Sequence, residues 1–222
     1  MEISVIIPAL NEAADIGAAV ASALEAAEVI VVDAESTDDT AAEARRAGAF
    51  VIRAPRGRGG QMDSGAMQAK GDVLVFLHAD TLLPKGWQEG VRAALADKRV
   101  VAGAFRLSVA APGMRFRLLE ALANSRARVL GLVYGDQAIF ARKEAFFSAG
   151  GFRKLPLMED VDCVRRLRGQ GRVVLLKESV ATSKRRWEKR GVVGNALKNL
   201  FILALYYAGM KPERLYPYYY KN

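Results

Sequence analysis

Polar side chains follow three predicted strands of this chain, at the point where each strand ends. Six residues stand in these positions: Asn11 and Glu12, then Asp33 and Glu35, then His78 and Asp80. Carboxylates gathered at one edge of a sheet repel one another unless a cation, a base or sugar hydroxyls lie between them. The pattern therefore predicts a site for a polyhydroxylated or metal-bound ligand. The alternative is local, with the side chains capping the helices that follow.

Two kinds of role are open to the acidic residues after the second strand. Asp33 ends a buried strand directly, so we expect its carboxylate to point into the crevice beyond the strand ends. Asp38 and Asp39 lie where the next helix begins, and negative charge is favourable at that end of a helix. We therefore expect Asp33 to face a ligand and the other two residues to serve the helix.

A glycine-rich, basic segment lies further along the chain, at residues 56–61 (RGRGGQ). We predict a loop here, whose backbone amides and guanidinium groups approach a phosphate. Residues 8–12 (PALNE), which follow the first strand, contain no glycine. This excludes the fingerprint of nicotinamide-binding Rossmann domains, and the sequence has no P-loop motif either.

Alternating strands and helices are predicted to position these residues. The predicted strands cover residues 2–8, 29–33, 50–53, 72–77, 100–109 and 137–141, and the predicted helices cover residues 13–27, 36–47, 62–69, 87–96, 114–130 and a segment that begins at 159. Such alternation is typical of an α/β fold, with a mostly parallel sheet, helices on both faces and ligands at the carboxyl ends of the strands. No repeat or linker divides the sequence, so we expect one domain over residues 1–222.

The order of the motifs resembles that of family 2 glycosyltransferases, which have the GT-A (Rossmann-like) fold. The matching stretches are residues 5–12 (VIIPALNE), 31–38 (VVDAESTD), 65–72, 76–80 (FLHAD), 135–140 (GDQAIF), 150–152 (GGF) and 159–162 (EDVD). Together they cover about residues 1–187. The resemblance divides the chain into a nucleotide-sugar-binding half (1–110), an acceptor and catalytic half (111–187) and a C-terminal helical extension (188–222).

The resemblance implies transfer of a sugar from a nucleotide-diphosphate sugar to an acceptor hydroxyl, with inversion at the anomeric carbon. UDP is the commonest nucleotide in the family; the sugar and the acceptor stay open. The donor would lie over the strand ends. Including the glycine-rich segment, the expected donor-binding residues are Pro8, Ala9, Asn11, Glu12, Asp33, Glu35, Arg56, Gln61, His78, Ala79 and Asp80.

The sequence departs from the family at its metal-binding motif. The usual D-x-D reads His78-Ala79-Asp80 here, so the only histidine of the chain replaces the first carboxylate. The resemblance implies a divalent cation, Mn²⁺ or Mg²⁺, held by Asp80 and two phosphate oxygens of the donor. Mn²⁺ tolerates an imidazole ligand better than Mg²⁺ does. Alternatively, His78 bonds the ribose or simply caps the strand.

Catalysis is expected from the pair Glu159-Asp160, which opens a helix. The resemblance makes Asp160 the general base that removes the proton of the acceptor hydroxyl, and it places Glu159 near the acceptor or the diphosphate. The alternative is that both carboxylates only complement the helix N-terminus. Asp136 and Gln137 are further candidates for contact with the acceptor.

Residues 183–187 (SKRRW) are similar to the Q-x-x-R-W element of processive family members. Ser183 replaces the glutamine, which argues against processive synthesis of a polymer. Arg186 and Trp187 are expected to clamp the diphosphate or stack on the acceptor, because Arg makes forked bonds to phosphate and Trp offers a flat apolar face. The alternative is a surface cluster of ion pairs.

Composition and charge exclude several classes of protein and of site. With 51% hydrophobic and 26% charged residues, the sequence is unlike a disordered or polytopic membrane protein. Its single cysteine, Cys163, excludes an intrachain disulfide and a cysteine zinc site, and it favours a cytoplasmic location. Net charge is +9, and residues 163–222 hold 14 Lys and Arg against 3 Asp and Glu. We therefore expect this end of the chain to face something acidic, unless it is a solvated surface.

The apolar stretch 199–210 is too short to span a bilayer alone. Its basic flanks and many tyrosines favour an interfacial anchor formed by residues 195–222, peripheral at the inner face of the membrane, with a lipid-linked acceptor. Burial against the catalytic domain or a second subunit is the alternative. Competing functions are an inactive basic module that binds anionic lipid or RNA, and a sugar nucleotidylyltransferase; the transferase interpretation expects no nucleic acid.

Overall fold

The computed structural model describes residues 1–185 and 191–220. Within them one sheet has eight strands: β1 (Ile3–Ala9), β2 (Glu28–Asp33), β3 (Phe50–Arg53), β4 (Val73–Phe76), β5 (Thr81–Leu82), β6 (Val100–Val109), β7 (Ile139–Arg142) and β8 (Arg172–Thr182). The helices are α1 (Ile16–Ala23), α2 (Thr40–Arg46), α3 (Arg58–Gln68), α4 (Trp87–Ala96), α5 (Met114–Leu130), α6 (Lys143–Ser148), α7 (Glu159–Arg168), α8 (Val192–Tyr207) and α9 (Pro212–Tyr220). A single 3₁₀ turn covers Gly135–Gln137.

The strand order, β3-β2-β1-β4-β7-β6-β8-β5, determines which residues share an edge. β3, β2, β1 and β4 are parallel neighbours, so the predicted strand ends do meet. β7 runs antiparallel between β4 and β6, which brings the 3₁₀ turn before it to the same edge. β8 is parallel to β6, and the short β5 closes the sheet antiparallel to β8.

Helices cover both faces of the sheet because side chains of a strand alternate between its faces. Val5 and Ile7 of β1 pack with α1, α2 and α4 on one face. Ile6, between them, packs with α3, α6 and α7 on the other face. The predicted α/β sheet with helices on both faces is therefore confirmed, with β7 and β5 as antiparallel members.

The glycine-rich segment differs from its prediction. Only Arg56 and Gly57, the latter with φ of 137°, precede the helix, because α3 already begins at Arg58. Gly59 belongs to the helix at a point where a Cβ atom would lie 2.9 Å from the carbonyl oxygen of Arg153. Glycine is required here by close packing of the helix start, and the loop predicted for residues 56–61 is wrong over most of its length.

The strands β5 and β8 and the helix α6 were not predicted, and α9 was not predicted as a separate helix within the C-terminal extension. β8 pairs in parallel with β6 but has irregular register at two places, so its apolar residues do not alternate cleanly. The helix α9 contains Pro217, a residue that disfavours a helix interior. In both elements tertiary packing overrides the local sequence signal.

The C-terminal helices have one buried side and one exposed side. Ile202 and Leu203 of α8 and Leu215 of α9 are buried in a cluster with Leu157 and Met158 of the loop before α7. Leu200, Phe201 and Tyr207 of α8 are exposed. The apolarity of this segment is thus partly explained by burial against the loop before α7. Among the described helices, none combines the length and apolarity needed to cross a membrane.

Candidate active site

The ends of β1 and β2 are joined by a buried glutamine. Gln61 of α3 donates from its amide nitrogen to the carbonyl oxygens of Ala9 (3.1 Å) and Val32 (2.8 Å). Only 5% of Gln61 is exposed. Its amide nitrogen thus positions the strand ends, and contact of Gln61 with the sugar donor stays a prediction. Pro8 and Ala9, also predicted as donor residues, are buried members of β1.

Asp33 lies at the end of β2 and is only 3% exposed. Its Oδ2 atom accepts a long hydrogen bond of 3.3 Å from the amide of Ser36. Within residues 1–185 and 191–220, its Oδ1 atom is buried and has no hydrogen-bond partner. A buried carboxylate oxygen without a donor is costly, so this atom is suited to receive an N–H or O–H group of a ligand.

Asn11 and Glu35 shape the two loops beside Asp33. Both have left-handed backbone, with φ of 54° and 58°. The backbone N–H of Asn11 donates to Ser36 Oγ, and Asn11 Oδ1 accepts from the amide of Thr37, each over 2.9 Å. Asn11 therefore fixes one loop against the other, and the exposed Glu35 is left at the open edge. Asp38 Oδ1 accepts hydrogen bonds from the amide and the hydroxyl of Thr40, the first residue of α2, as the capping interpretation expects.

Asp80 follows β4 and lies in an acidic group beside the cation Arg185. Burial raises the pKa of the Asp80 carboxyl, while the hydroxyl of Thr81, 3.3 Å away, and the guanidinium of Arg185 lower it. Arg185 bonds Glu12 over 2.7 Å and also pairs with Asp15. Burial raises the pKa of Glu12 as well, against the opposing effect of Arg185. Arg185 belongs to the basic SKRRW stretch, but it was not among the predicted site residues.

His78 and Asp160 meet on either side of Gly135. The amide of Gly135 donates to Asp160 Oδ2 over 2.7 Å, and the amide of Val161 donates to Asp160 Oδ1 over 2.8 Å. A Cβ atom on Gly135 would lie 2.8 Å from His78 Nε2 and 3.4 Å from Asp160 Oδ2. The absence of a side chain at Gly135 therefore lets the predicted base approach the strand end that carries Asp80.

A pocket opens at this point, with a volume of about 510 Å³ that includes its solvent-filled mouth. Acidic, basic and apolar groups all contribute to its walls. The lining residues are Arg58, His78, Tyr134, Asp136, Leu157, Met158, Asp160, Asn199, Ile202 and Tyr219. The pocket thus combines the predicted base with a largely apolar wall supplied by α8, α9 and the loop before α7.

Several residues of this pocket were missed by sequence reasoning. Arg58 lies in the glycine-rich segment, where Arg56 was chosen instead; Arg56 is exposed. The ring of Tyr134 stacks under the guanidinium of Arg126 at 3.5 Å, and burial raises the pKa of Tyr134 to about 12. Asn199 comes from a helix that was considered only as a membrane anchor.

Two residues predicted to lie near the acceptor or the diphosphate make contacts that hold the protein structure. Gln137 is fully buried: its amide donates to the carbonyl of Phe105 (3.2 Å) and its Oε1 atom accepts from the amide of Tyr134. Glu159 is 2% exposed and receives the guanidinium of Arg58 over 2.5 Å. Gln137 thus holds the 3₁₀ turn and Glu159 holds Arg58, and the ligand contacts expected of both residues stay predictions.

Of the remaining predicted residues, Asp136 lines the pocket, and Ala79 is buried between His78 and Asp80. Arg186 and Trp187 lie outside the described residues. Within the described part of the chain, no group of three His, Cys, Asp or Glu side chains is placed to hold a metal ion by itself. Asp80 therefore offers one protein ligand, and a bound cation would need oxygens from the nucleotide.

The mixed eight-stranded sheet with helices on both faces matches the GT-A fold of solved glycosyltransferase structures. The chain belongs to glycosyl transferase family 2, whose sequence model matches residues 4–150. The predicted family is confirmed. The uncharacterized glycosyltransferase Rv0539 of Mycobacterium tuberculosis is 35% identical over 85 residues. This alignment covers 38% of the present chain and 39% of that relative.

Solved structures share the fold at low sequence identity. Mannosyltransferase PcManGT from Pyrobaculum calidifontis, in complex with GDP-Man and Mn²⁺, has a TM-score of 0.68 at 21% identity, over 98% of this chain and 68% of that chain. Glucosyl-3-phosphoglycerate synthase from Mycobacterium tuberculosis, in complex with Mg²⁺ and UDP, has a TM-score of 0.60 at 24% identity, over 90% of this chain and 78% of that chain.

Proposed function

We propose that the protein transfers a sugar from a nucleotide-diphosphate sugar to an acceptor hydroxyl, with inversion and without processivity. The observation that carries the proposal is the meeting of two groups at Gly135. His78 belongs to the strand end that carries Asp80, and Asp160 lies across Gly135 from it. The strand edge would hold the donor, and the pocket beside Asp160 would hold the acceptor.

Asp33 is proposed to bind the base of the nucleotide. Its buried Oδ1 atom lacks a donor within the described residues, and the imino N–H of uracil, thymine or guanine would supply one. The ring nitrogen at the pairing edge of cytosine or adenine is an acceptor and would face the carboxylate unfavourably. This supports UDP, GDP or TDP over CDP. The complexes of the two structural neighbours, with GDP-Man and with UDP, agree with that choice.

A divalent cation is proposed to bind at Asp80. The residues fit such an ion in part: Asp80 is a half-buried carboxylate that accepts a long hydrogen bond of 3.3 Å from the hydroxyl of Thr81, and His78 precedes it by two residues. Mn²⁺ or Mg²⁺ would neutralise the diphosphate as it leaves. The structural neighbours contain these same ions. Arg185, which already lies beside Asp80, would add fixed positive charge close to the diphosphate.

Asp160 is proposed as the general base. Its two oxygens accept hydrogen bonds from the amides of Gly135 and Val161, which fix the carboxylate in one orientation while it still lines the pocket. A fixed carboxylate on the side away from the leaving group supports direct displacement and hence inversion. Asp136 and Asn199 would orient the acceptor, since both line the same pocket.

The other assignments made from the sequence are kept as proposals. These are the division at residues 110 and 187, the cytoplasmic location, the contact of residues 195–222 with a membrane and the formation of a homo-oligomer. The exposed Leu200 and Phe201 support the membrane contact, and the buried Ile202 and Leu203 limit it to one side of α8.

The two competing functions make different demands. A sugar nucleotidylyltransferase would need a glycine-rich, basic loop after β1, and residues 9–12 (ALNE) do not provide it. An inactive basic module would not need Asp33, Asp80 and Asp160 at three motif positions of one edge. Salt-sensitive binding of RNA without any binding of nucleotides would support the module.

The experiment that tests the proposed function measures release of nucleoside diphosphate from a panel of UDP-, GDP- and TDP-hexoses, with Mn²⁺, Mg²⁺ or EDTA. We expect metal-dependent release from one donor class, from slow transfer to water when no acceptor is supplied. NMR of the released sugar would show the inverted anomer as the first product. Absence of release from every donor, in protein shown to be folded, would favour the inactive module; release with retained configuration would contradict the role given to Asp160.

A further inference from the structure

The helix α5 carries an apolar stripe on the side that faces away from the sheet. Its inner side packs through Phe116, which is 2% exposed, and Leu119. On its outer side Met114 is 83% exposed, Leu118 and Leu122 are each 58% exposed, and Val129 is 78% exposed. At about 100° per residue these four side chains fall within an arc of roughly 80°. We name this set the α5 stripe.

Cations border the α5 stripe on both sides. At the same angular step, Arg115 lies next to one border and Arg128 next to the other, and both residues are exposed. The helix contains four arginines and one acidic residue, Glu120. Glu120 is turned toward β6, where its carboxylate accepts from the amide of Val109 over 2.6 Å. The outer side of α5 is therefore apolar in the middle and basic at its margins.

We infer that the α5 stripe docks on an anionic lipid bilayer. An apolar stripe with an arginine at each border is suited to a helix that lies in the plane of the interface, with its cations at the headgroups. A second copy of the chain fits this surface poorly. In a two-fold contact the same side meets itself, so the arginine borders of the two copies would face each other as like charges.

The stripe is close to the pocket along the chain and in space. α5 leads through residues 131–134 into the 3₁₀ turn, and Arg126 from its inner half stacks on Tyr134 of the pocket wall. α5 also contacts α8, whose residue Ile202 lines the same pocket. Docking of α5 would thus bring the pocket near the membrane surface. The inference does not depend on the proposed function, because vesicle binding requires no catalysis.

The test is sedimentation of the full chain with vesicles of phosphatidylcholine alone or of phosphatidylcholine with phosphatidylglycerol. Wild-type protein should bind the anionic vesicles more tightly, and added salt should weaken that binding. The double variant Leu118→Ser/Leu122→Ser should lose roughly tenfold in affinity, because it removes apolar area from the interface. Arg115→Gln/Arg128→Gln should remove most of the preference for anionic lipid.

The matched control is Phe50→Ser/Met67→Ser, which changes two apolar residues that are each 61% exposed but lie on β3 and α3. This control should bind vesicles like the wild type. Nucleotide binding should be the same in all variants, which shows that they fold. Vesicle binding that is absent in the wild type, or unchanged by the leucine substitutions, would overturn the inference. A wild-type dimer that the leucine substitutions convert to monomers would also overturn it, since the stripe would then bind a second copy.

Discussion

Two regions of the molecule are built in different ways. The nucleotide edge is formed by the ends of β1, β2 and β4, which are proposed to bind the nucleotide. The acceptor pocket is the pocket beside Asp160, which is proposed to bind the acceptor. The nucleotide edge comes from successive strand and helix units within the first 80 residues, and its loops are fixed by nearby backbone amides and hydroxyls, as at Asn11. The acceptor pocket combines residues 134–136, 157–160 and 199–219, which lie far apart in sequence. The first region is thus a property of local motifs, and the second depends on the assembled fold.

The comparison predicts that a substitution in one region impairs catalysis or nucleotide binding without impairing the other. Asp160→Asn should lower the rate of nucleoside diphosphate release by about 10²–10⁴-fold, because the amide cannot accept the proton of the acceptor. Nucleotide affinity should stay unchanged, since Asp160 lies on the pocket side. Steady-state kinetics and nucleotide titration measure the two effects. Asp39→Asn, at an exposed position where α2 begins, is the control and should match the wild type.

A substitution in the nucleotide edge should change the selectivity of the protein among nucleotides. Asp33→Asn replaces a carboxylate oxygen by an amide that donates as well as accepts, so affinity for UDP, GDP or TDP should fall by roughly 10- to 100-fold. CDP should be affected less, because its base can accept from the new amide. Titration with the four nucleotides measures the ratio. Equal weakening for all four would argue against direct contact between Asp33 and the base.

Packing beneath the nucleotide edge gives a third test. A Cβ atom on Gly65 of α3 would lie 2.5 Å from Cγ2 of Ile6 and 2.9 Å from Cγ2 of Val32, whereas one on Gly60 of the same helix would meet nothing within 4 Å. Gly65→Ala should therefore lower the free energy of unfolding by about 1–3 kcal/mol. Gly60→Ala should raise it by about 0.5–1 kcal/mol. Denaturant unfolding measures both; similar effects at the two positions would contradict the packing of α3 on β1 and β2.

The smallest predicted effect is on the free energy of unfolding, and it comes from the charge of Asp80 when no metal is bound. Burial raises the pKa of Asp80 in the folded state. Above that pKa the buried ionised carboxylate lowers the stability of the folded protein. This loss of stability disappears as the pH falls through the pKa, because the carboxyl then becomes neutral. Asp80→Asn should therefore stabilise the protein near neutral pH in EDTA, by about 1 kcal/mol or less. The difference from the wild type should shrink in acid. Thermal unfolding over a pH series measures it, and a growing difference in acid would contradict the burial of Asp80.

Much of the nucleotide edge could be predicted from the sequence. The strands before Asp33 and His78 are short apolar runs, and parallel alternation brings their ends together in any α/β sheet. The roles within the edge were harder to assign. Gln61 was expected to contact a ligand, and in the structure its side chain donates to the carbonyls of Ala9 and Val32. The sequence alone does not show whether the side chain of a helical glutamine faces a ligand or the protein backbone.

The acceptor pocket could be predicted only in part. Asp160 was recognised from its motif, but Tyr134 and Asn199 carry no local signal for the pocket. They reach it because β7 is inserted antiparallel into the sheet and because α8 packs on the loop before α7, which are both long-range events. Gln137 was a candidate for contact with the acceptor, and its buried side chain holds the 3₁₀ turn.

The central claim is that the nucleotide edge binds a nucleoside diphosphate through a metal at Asp80. The most direct measurement is the thermal stability of the wild type and of Asp80→Ala with UDP, GDP, TDP or CDP, each in Mn²⁺, Mg²⁺ or EDTA. Because a ligand that binds the folded state raises its stability by mass action, one nucleotide should raise the melting temperature of the wild type with metal and not in EDTA. The increase should be absent in Asp80→Ala. No increase with any nucleotide, or the same increase in Asp80→Ala, would contradict the claim.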